Sequence, residues 1–317
     1  MPLNRMDRML YFFMLGYVTN HVKCQSLDLI AGYLPNSDVM EHLKLDLHQR
    51  DFEDFLNSKN FSAASDIYVN GGNSMKSMKI RMLKPLSQGF SKGAKVEQGN
   101  ASGILIADAK KSDSSLKISV TSKCFGKFSK TKDTSGCFTD TGGPLKIDGV
   151  DVGSQISVKL PYRTLAGFSV EAESKMKGQE MFEMYKAFYG AGDYADKFIK
   201  AALKGEDETK RVNIPMDFLG KEEIFRIECA KKGSAYWSVW MYVIREMEDA
   251  VTDCNSGCEF CNDAKVHAWD EAVAFYTGSL KGKNGNMAGK MLYRLAEKRC
   301  KNYQTCTGKC QKLTKKF

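Results

Sequence analysis

Twice along its length this chain changes the spacing of its apolar residues. They recur every three to four positions up to about residue 70, every second position from about 75 to 160, and every three to four again from Tyr162 onward. A 3.6-residue period lays apolar side chains on one stripe of a helix, and a two-residue period lays them on one face of a strand. The expected fold class is therefore α+β: a small antiparallel β-sheet region inserted in a mainly α-helical, disulfide-stabilised protein.

The local signals agree with that division. Over 25–74, Asn36, Ser37 and Asp38 can cap a helix after Pro35, with Val39, Met40, Leu43 and Leu47 as its apolar stripe. A second pattern runs through Phe52, Phe55 and Leu56. A third ends at Tyr68-Val69, where Asn70-Gly71-Gly72-Asn73 offers the left-handed conformation that a helix C-cap takes. Over 75–161, the runs SMKIRML, SGILIAD, LKISVT and SQISVKL alternate between turns such as Gly142-Gly143-Pro144 and Asp148-Gly149, as antiparallel strands do. Over 162–306 the helical period returns in Phe182, Tyr185, Phe188 and Tyr189. It is strongest in AYWSVWMYVIREMEDAVTDC and then in VHAWDEAVAFY.

The formal net charge of +9 is unevenly placed. Residues 281–317 carry eleven Lys/Arg and one acid, Glu297, so the rest of the chain is nearly neutral. The basic 307–317 tail could touch polyanions of a cell wall, but nothing suggests a nucleic-acid partner. Arg5 and Arg8 precede the apolar run Met9–Val18, and Val22 and Cys24 suit a cleavage site, so 1–24 is expected to be a secretory signal peptide. No later stretch is apolar for long enough to span a bilayer. The sequons Asn60-Phe61-Ser62 and Asn100-Ala101-Ser102 fit export to the periplasmic space or cell surface.

Export favours disulfides among the ten cysteines. Cys124 and Cys137 bracket one loop and are expected to pair. The others gather at Cys254, Cys258 and Cys261 and at Cys300, Cys306 and Cys310, with Cys229 alone between. The C-x3-C-x2-C spacing at 254–261 also resembles the iron–sulfur loop of radical S-adenosylmethionine enzymes, but only 56 residues follow Cys261, too few for the barrel that such enzymes build. A zinc site of three thiolates with His267 stays open, beside a disulfide clamp between the two strongest helices.

Those helices carry the candidate chemistry. Tyr242, Glu246, Asp249 and Asp253 fall at i, i+4, i+7 and i+11 on one, and His267, Asp270 and Glu271 lie within one turn on the next, with Tyr276 beyond. Packed antiparallel, the pair would converge phenols, carboxylates and an imidazole, a donor set suited to ferric iron, calcium or manganese. Arg245 could hold an anion completing the shell. The plain alternative is a solvated polar face with i,i+4 pairs such as Arg245–Asp249. Catalytic signatures are missing: there is no GxSxG, Walker loop or HExxH, and only His42, His48 and His267 follow the leader.

The segment AYWSVWMYVIREMEDAVTDCNSGCEFCNDAKVHAWDEAVAFYTGSLKG is similar to a motif of algal low-iron-inducible periplasmic (iron-assimilation) proteins, which are related to the phytotransferrins. LYRLAEKRCKNYQTC, IYVNGGNS, RTLAGFS and GDYADKFI extend the resemblance over most of 60–306. It implies a non-enzymatic, secreted ferric-iron-binding protein that serves high-affinity uptake, with carbonate as a synergistic anion and a cell-surface receptor as partner. Lys281, where the family pattern is acidic, and the end soon after Thr305-Cys306 depart from it. They keep a metal-free extracellular interaction module as the alternative.

Overall fold

The computed structural model describes residues 30–122, 124, 135–158, 162–207, 217–256, 264–281 and 288–305. The expected signal peptide, Cys258, Cys261, Cys306, Cys310 and the basic tail lie outside the described residues.

The fold is mixed α+β with a seven-stranded antiparallel sheet. Helices α1 (Met40–Leu43), α2 (Leu45–Asn57) and α3 (Phe61–Asn70) lead into strands β1 (Met78–Met82), β2 (Lys95–Gln98), β3 (Ala101–Leu105), β4 (Ser115–Val120), β5 (Leu145–Ile147), β6 (Val150–Gly153) and β7 (Gln155–Val158). Next come α4 (Gly167–Val170), α5 (Ala172–Met176), α6 (Glu180–Tyr189), α7 (Tyr194–Lys204) and α8 (Glu223–Gly233). A π-helical turn (Ser234–Val239) runs directly into α9 (Trp240–Asn255), and α10 (Ala264–Thr277), a 3-10 turn (Ser279–Lys281) and α11 (Leu292–Asn302) complete the described chain.

The sheet follows the order β6-β5-β2-β3-β4-β1-β7. Alternation decides its faces: Met78, Ile80 and Met82 of β1 are buried while Lys79 and Arg81 point outward. Leu116 and Ile118 of β4 and Leu145 and Ile147 of β5 join the same core, with Phe138 packed over them. Gly103 is demanded by this packing, since a Cβ there would stand 2.6 Å from both Ile118 Cγ2 and Ser119 O. Strands β2, β5 and β6 were not marked by the sequence pattern; they are three or four residues long.

The helical core joins α2, α3, α7, α8, α9 and α10 around Phe52, Tyr68, Phe198, Val243 and Phe275. Tyr68 OH donates to Asp196 Oδ1 (3.0 Å), and Asp196 N donates to Ser169 Oγ (3.0 Å), so three separated segments meet at one buried aspartate. Helices α9 and α10 pack on each other, and their register descends: Trp240 lies against Tyr276, Tyr242 against Phe275, and Glu246, Asp249 and Asp253 share a cavity with His267 and Glu271. The two helices are therefore antiparallel, as expected.

The sheet leaves and rejoins the helical body at one point. Arg163 N donates to Ser74 O (2.8 Å), and Met75 bridges Tyr162 beside the Cys124–Cys137 disulfide. The expected bridge at Cys124 and Cys137 is thus present. Cys254 corrects the disulfide expectation: α9 continues to Asn255, which leaves Cys254 as an exposed free thiol on its last turn. Among the described residues, no helix is long and apolar enough to cross a membrane.

Candidate metal centre

The site forms where the first helical segment reaches the α9–α10 pair. A short turn places His42 at the end of α1, because α1 stops after four residues and α2 restarts at Leu45. His42 then packs edge-on against Phe275 and against the ring of His267. Among the described residues, His42, His267 and Glu271 offer ligand atoms that all lie within 4.8 Å of one another. Both imidazoles aim at one oxygen. Glu271 Oε1 lies 2.6 Å from His42 Nε2 and 2.9 Å from His267 Nε2.

A hydrogen-bonded chain behind His267 determines which of its nitrogens faces the site. Asp270 is fully buried and accepts from Tyr33 OH (2.5 Å), Asn36 N (2.9 Å), Ser37 N (2.7 Å) and Ser37 Oγ (2.7 Å). The Ser37 proton is thereby committed to Asp270, so its oxygen accepts from His267 Nδ1 at 2.9 Å. The Nε2 atom of His267 is left facing Glu271 with a lone pair or a second proton. Such a buried partner behind a histidine is the usual device for aiming a metal ligand.

His42 is in a similar position. Its Nε2 meets both the Glu271 carboxylate and a guanidinium nitrogen of Arg163, an acceptor and a donor that one nitrogen cannot serve together. Its Nδ1 is buried without a hydrogen-bond partner. Two imidazole nitrogens and one carboxylate oxygen thus converge on a point that calls for positive charge, supplied by protons or by a metal ion.

The electrostatics support the same centre. Burial works to raise the Glu271 pKa, but hydrogen bonds from His267 and His42 outweigh it and hold the carboxyl well below its ordinary range. Burial, joined by the negative charge of Glu271, pushes Glu246 up to about 7. The Tyr242 phenol is raised well above its usual value by burial and by Glu246. The hydrogen bond to Glu271 raises His267, while burial lowers His42.

The structure brings Tyr242, Glu246, His267 and Glu271 to this region and distributes the other expected ligands elsewhere. Asp270 has its lone pairs filled by the 33–37 turn, so it positions His267 instead of facing the cluster. Asp249 accepts from Gln179 Nε2 (2.7 Å) and pairs with Arg245 (2.6 Å). Arg245, expected to hold an anion, is itself held by Glu246 and Asp249. Tyr276 lies in the aromatic layer with Trp240 and Tyr293. Five positions beyond Glu271, it is carried some 140° round the helix. Sequence reasoning did not assign His42 or Arg163. They sit on a four-residue helix and after a strand, where no periodicity could announce them.

Two cavities meet at Glu271. One, of about 630 Å3, is lined by Lys76, Lys79, Arg163 and Lys175 together with Tyr242, Phe168 and Phe275. The other, of about 440 Å3, is lined by Glu246, Asp249, Asp253 and His267 together with Arg245. In comparison with known proteins, the chain matches no family model, no curated protein and no solved structure.

Proposed function

We propose that the protein captures ferric iron at the His42–His267–Glu271 cluster and serves iron uptake, as a disulfide-stabilised secreted or periplasmic protein without enzymatic activity. The observation that carries this reading is the aim of two Nε2 atoms at one partly buried carboxylate oxygen, with Ser37 and Asp270 holding one of them in place. Tyr242 and Glu246 line the two cavities on either side and add hard oxygen donors within the same region. Phenolate and carboxylate oxygens suit Fe3+. The resemblance to the algal iron-assimilation proteins and phytotransferrins points to the same cargo, carried with a carbonate anion. Arg163, which already touches His42, is the better-placed cation for that anion, since Arg245 is occupied by two carboxylates. A cell-surface receptor would take the loaded protein.

A second reading follows from His42 itself. Two imidazoles and one carboxylate form a donor set that also suits zinc or ferrous iron. Elemental analysis and dialysis of the purified full chain against Fe3+ with bicarbonate, and against Zn2+, separate the two. The iron reading expects one Fe3+ per chain and at least tenfold weaker binding in His42→Ala and Glu271→Ala, with Tyr276→Phe unchanged. Iron binding that is indifferent to His42 and Glu271 would overturn the site, and zinc retained in preference to iron would overturn the cargo.

A further inference from the structure

The 630 Å3 cavity is far larger than the metal cluster or a three-oxygen anion requires, and it lies within the range of small-molecule sites, about 300–1,000 Å3. Its charge is one-sided. Lys76, Lys79, Arg163 and Lys175 face two acids, Glu171 and Glu271. Lys175 pairs with Glu171 at 2.6 Å and stands 5.4 Å over the Tyr242 ring, and Arg163 is anchored by donation to Met75 O. Phe168 and Phe275 pack edge-on behind the opening and give it a firm apolar floor. Two separate parts of the fold build the walls: Lys76 and Lys79 come with the sheet, and Lys175 with α5.

The second cavity carries the opposite sign. Among the described residues, Glu246, Asp249, Asp253 and Glu271 face Arg245 and the His267 imidazole there. An anion is favoured on the basic side of the His42–Glu271 cluster, and a free cation on the acidic one. A multidentate carboxylate matches the basic cavity well: its spare oxygens meet spaced ammonium and guanidinium groups, while its chelating oxygens stay on the metal at Glu271.

We propose that the basic cavity holds a hydroxycarboxylate of the citrate type that arrives bound to the metal, so that the cargo is an anionic ferric chelate. This rests on the iron-binding reading above and specifies its substrate. Lys79 and Lys175 would bind the chelator, and the two histidines with Glu271 would bind the metal it brings.

Equilibrium dialysis of the full chain with labelled citrate, iron and bicarbonate tests this. Citrate should be retained near one per iron. A Lys79→Glu/Lys175→Glu variant should lose at least tenfold in citrate retention while holding iron supplied with bicarbonate alone as wild type does. Both lysines are solvent-exposed, so circular dichroism and thermal unfolding should match wild type and certify the fold. Iron taken from the citrate-containing mixture with no citrate accompanying it, or citrate retained equally by the variant, overturns the chelate while leaving iron binding in place. Retention of labelled inorganic phosphate ahead of citrate likewise overturns it. No iron retained under any condition overturns the iron reading and this one with it.

Discussion

One buried histidine outside the cluster's own ligands should contribute stability to this protein that acid removes. His48, on α2, is fully buried, and its Nε2 accepts from three successive backbone N–H groups: Gly72 (2.8 Å), Asn73 (2.5 Å) and Ser74 (3.1 Å). An accepting nitrogen cannot carry a proton, so the ring proton sits on Nδ1, which has no partner. Burial, with the Arg163 charge adding to it, pulls the His48 pKa down to about 3. Unfolded, the ring returns to about 6.5. Between those values the unfolded chain binds a proton that the folded one refuses, so stability rises with pH and is lost as pH falls through that window. At about 1.4 kcal/mol per unit, the loss from His48 between pH 7 and pH 5 is about 2 kcal/mol.

Asp46 works in the opposite sense. Burial pushes its carboxyl up to about 6, so acidification over the same range returns about 1 kcal/mol, and Glu246, raised to about 7, returns about 2 kcal/mol more. The measurement must therefore be differential: urea unfolding of wild type and His48→Gln at pH 7 and pH 5. The variant, with no imidazole to titrate, should lose about 2 kcal/mol less between the two conditions. Equal pH slopes, or an NMR titration of His48 near pH 6.5, would refute the reasoning.

Four further outcomes can be checked. Gly71→Ala should destabilise by about 2–3 kcal/mol in chemical unfolding, because φ is +67° and a Cβ would stand 2.6 Å from Arg163 O. Ser37→Ala should weaken metal binding by about tenfold in dialysis without changing the thermal midpoint by more than a few degrees, since it removes the group that orients His267. Asp270→Asn removes the charge that these bonds address and turns an amide donor toward either Tyr33 OH or the two backbone N–H groups, and should cost about 2 kcal/mol in the same unfolding assay. At the Lys281–Glu297 pair, whose lysine is buried and whose carboxylate is partly exposed, Glu297→Ala should cost about 2–3 kcal/mol, whereas Lys281→Met with Glu297→Leu should be near neutral.

The parts of the fold that were legible are those where one chain segment sets its own environment. The stripe Tyr242–Glu246 and the turn His267–Glu271 could be read because helical spacing alone places each set on a face, and a short connection predicts that the faces meet. The strands β1, β3, β4 and β7, which lie in clearly alternating runs, were legible for the same reason, and β5, at three residues, is too short for a period to appear. Asp270 shows the limit. Its spacing is that of a ligand, but its neighbours Tyr33, Asn36 and Ser37 are more than 230 residues away, and they decide its role. The Asn36-Ser37-Asp38 cap signal had a similar fate. Asp38 does accept from Met40 N (3.1 Å), while Ser37 turns away to serve His267. His42 was visible only as one of few histidines. The π-turn before α9 also left no sequence mark, though Ser234 Oγ donates to Gln49 Oε1 (2.7 Å) and Ser238 Oγ to Leu165 O (3.2 Å) within it.

The junction at Ser74 and Arg163 makes the sheet a detachable module. Because the two chain crossings are hydrogen-bonded neighbours, a tight turn of a few residues could in principle close the helical body without the eighty-odd residues between them. Such a miniature would keep His42, His267 and Glu271, whose elements all belong to the helical body. It would lose Lys76, Lys79 and the Cys124–Cys137 bridge. Metal binding would then stay with the helical body, while the basic cavity, walled by both parts, would lose its sheet-borne lysines and keep only Arg163 and Lys175.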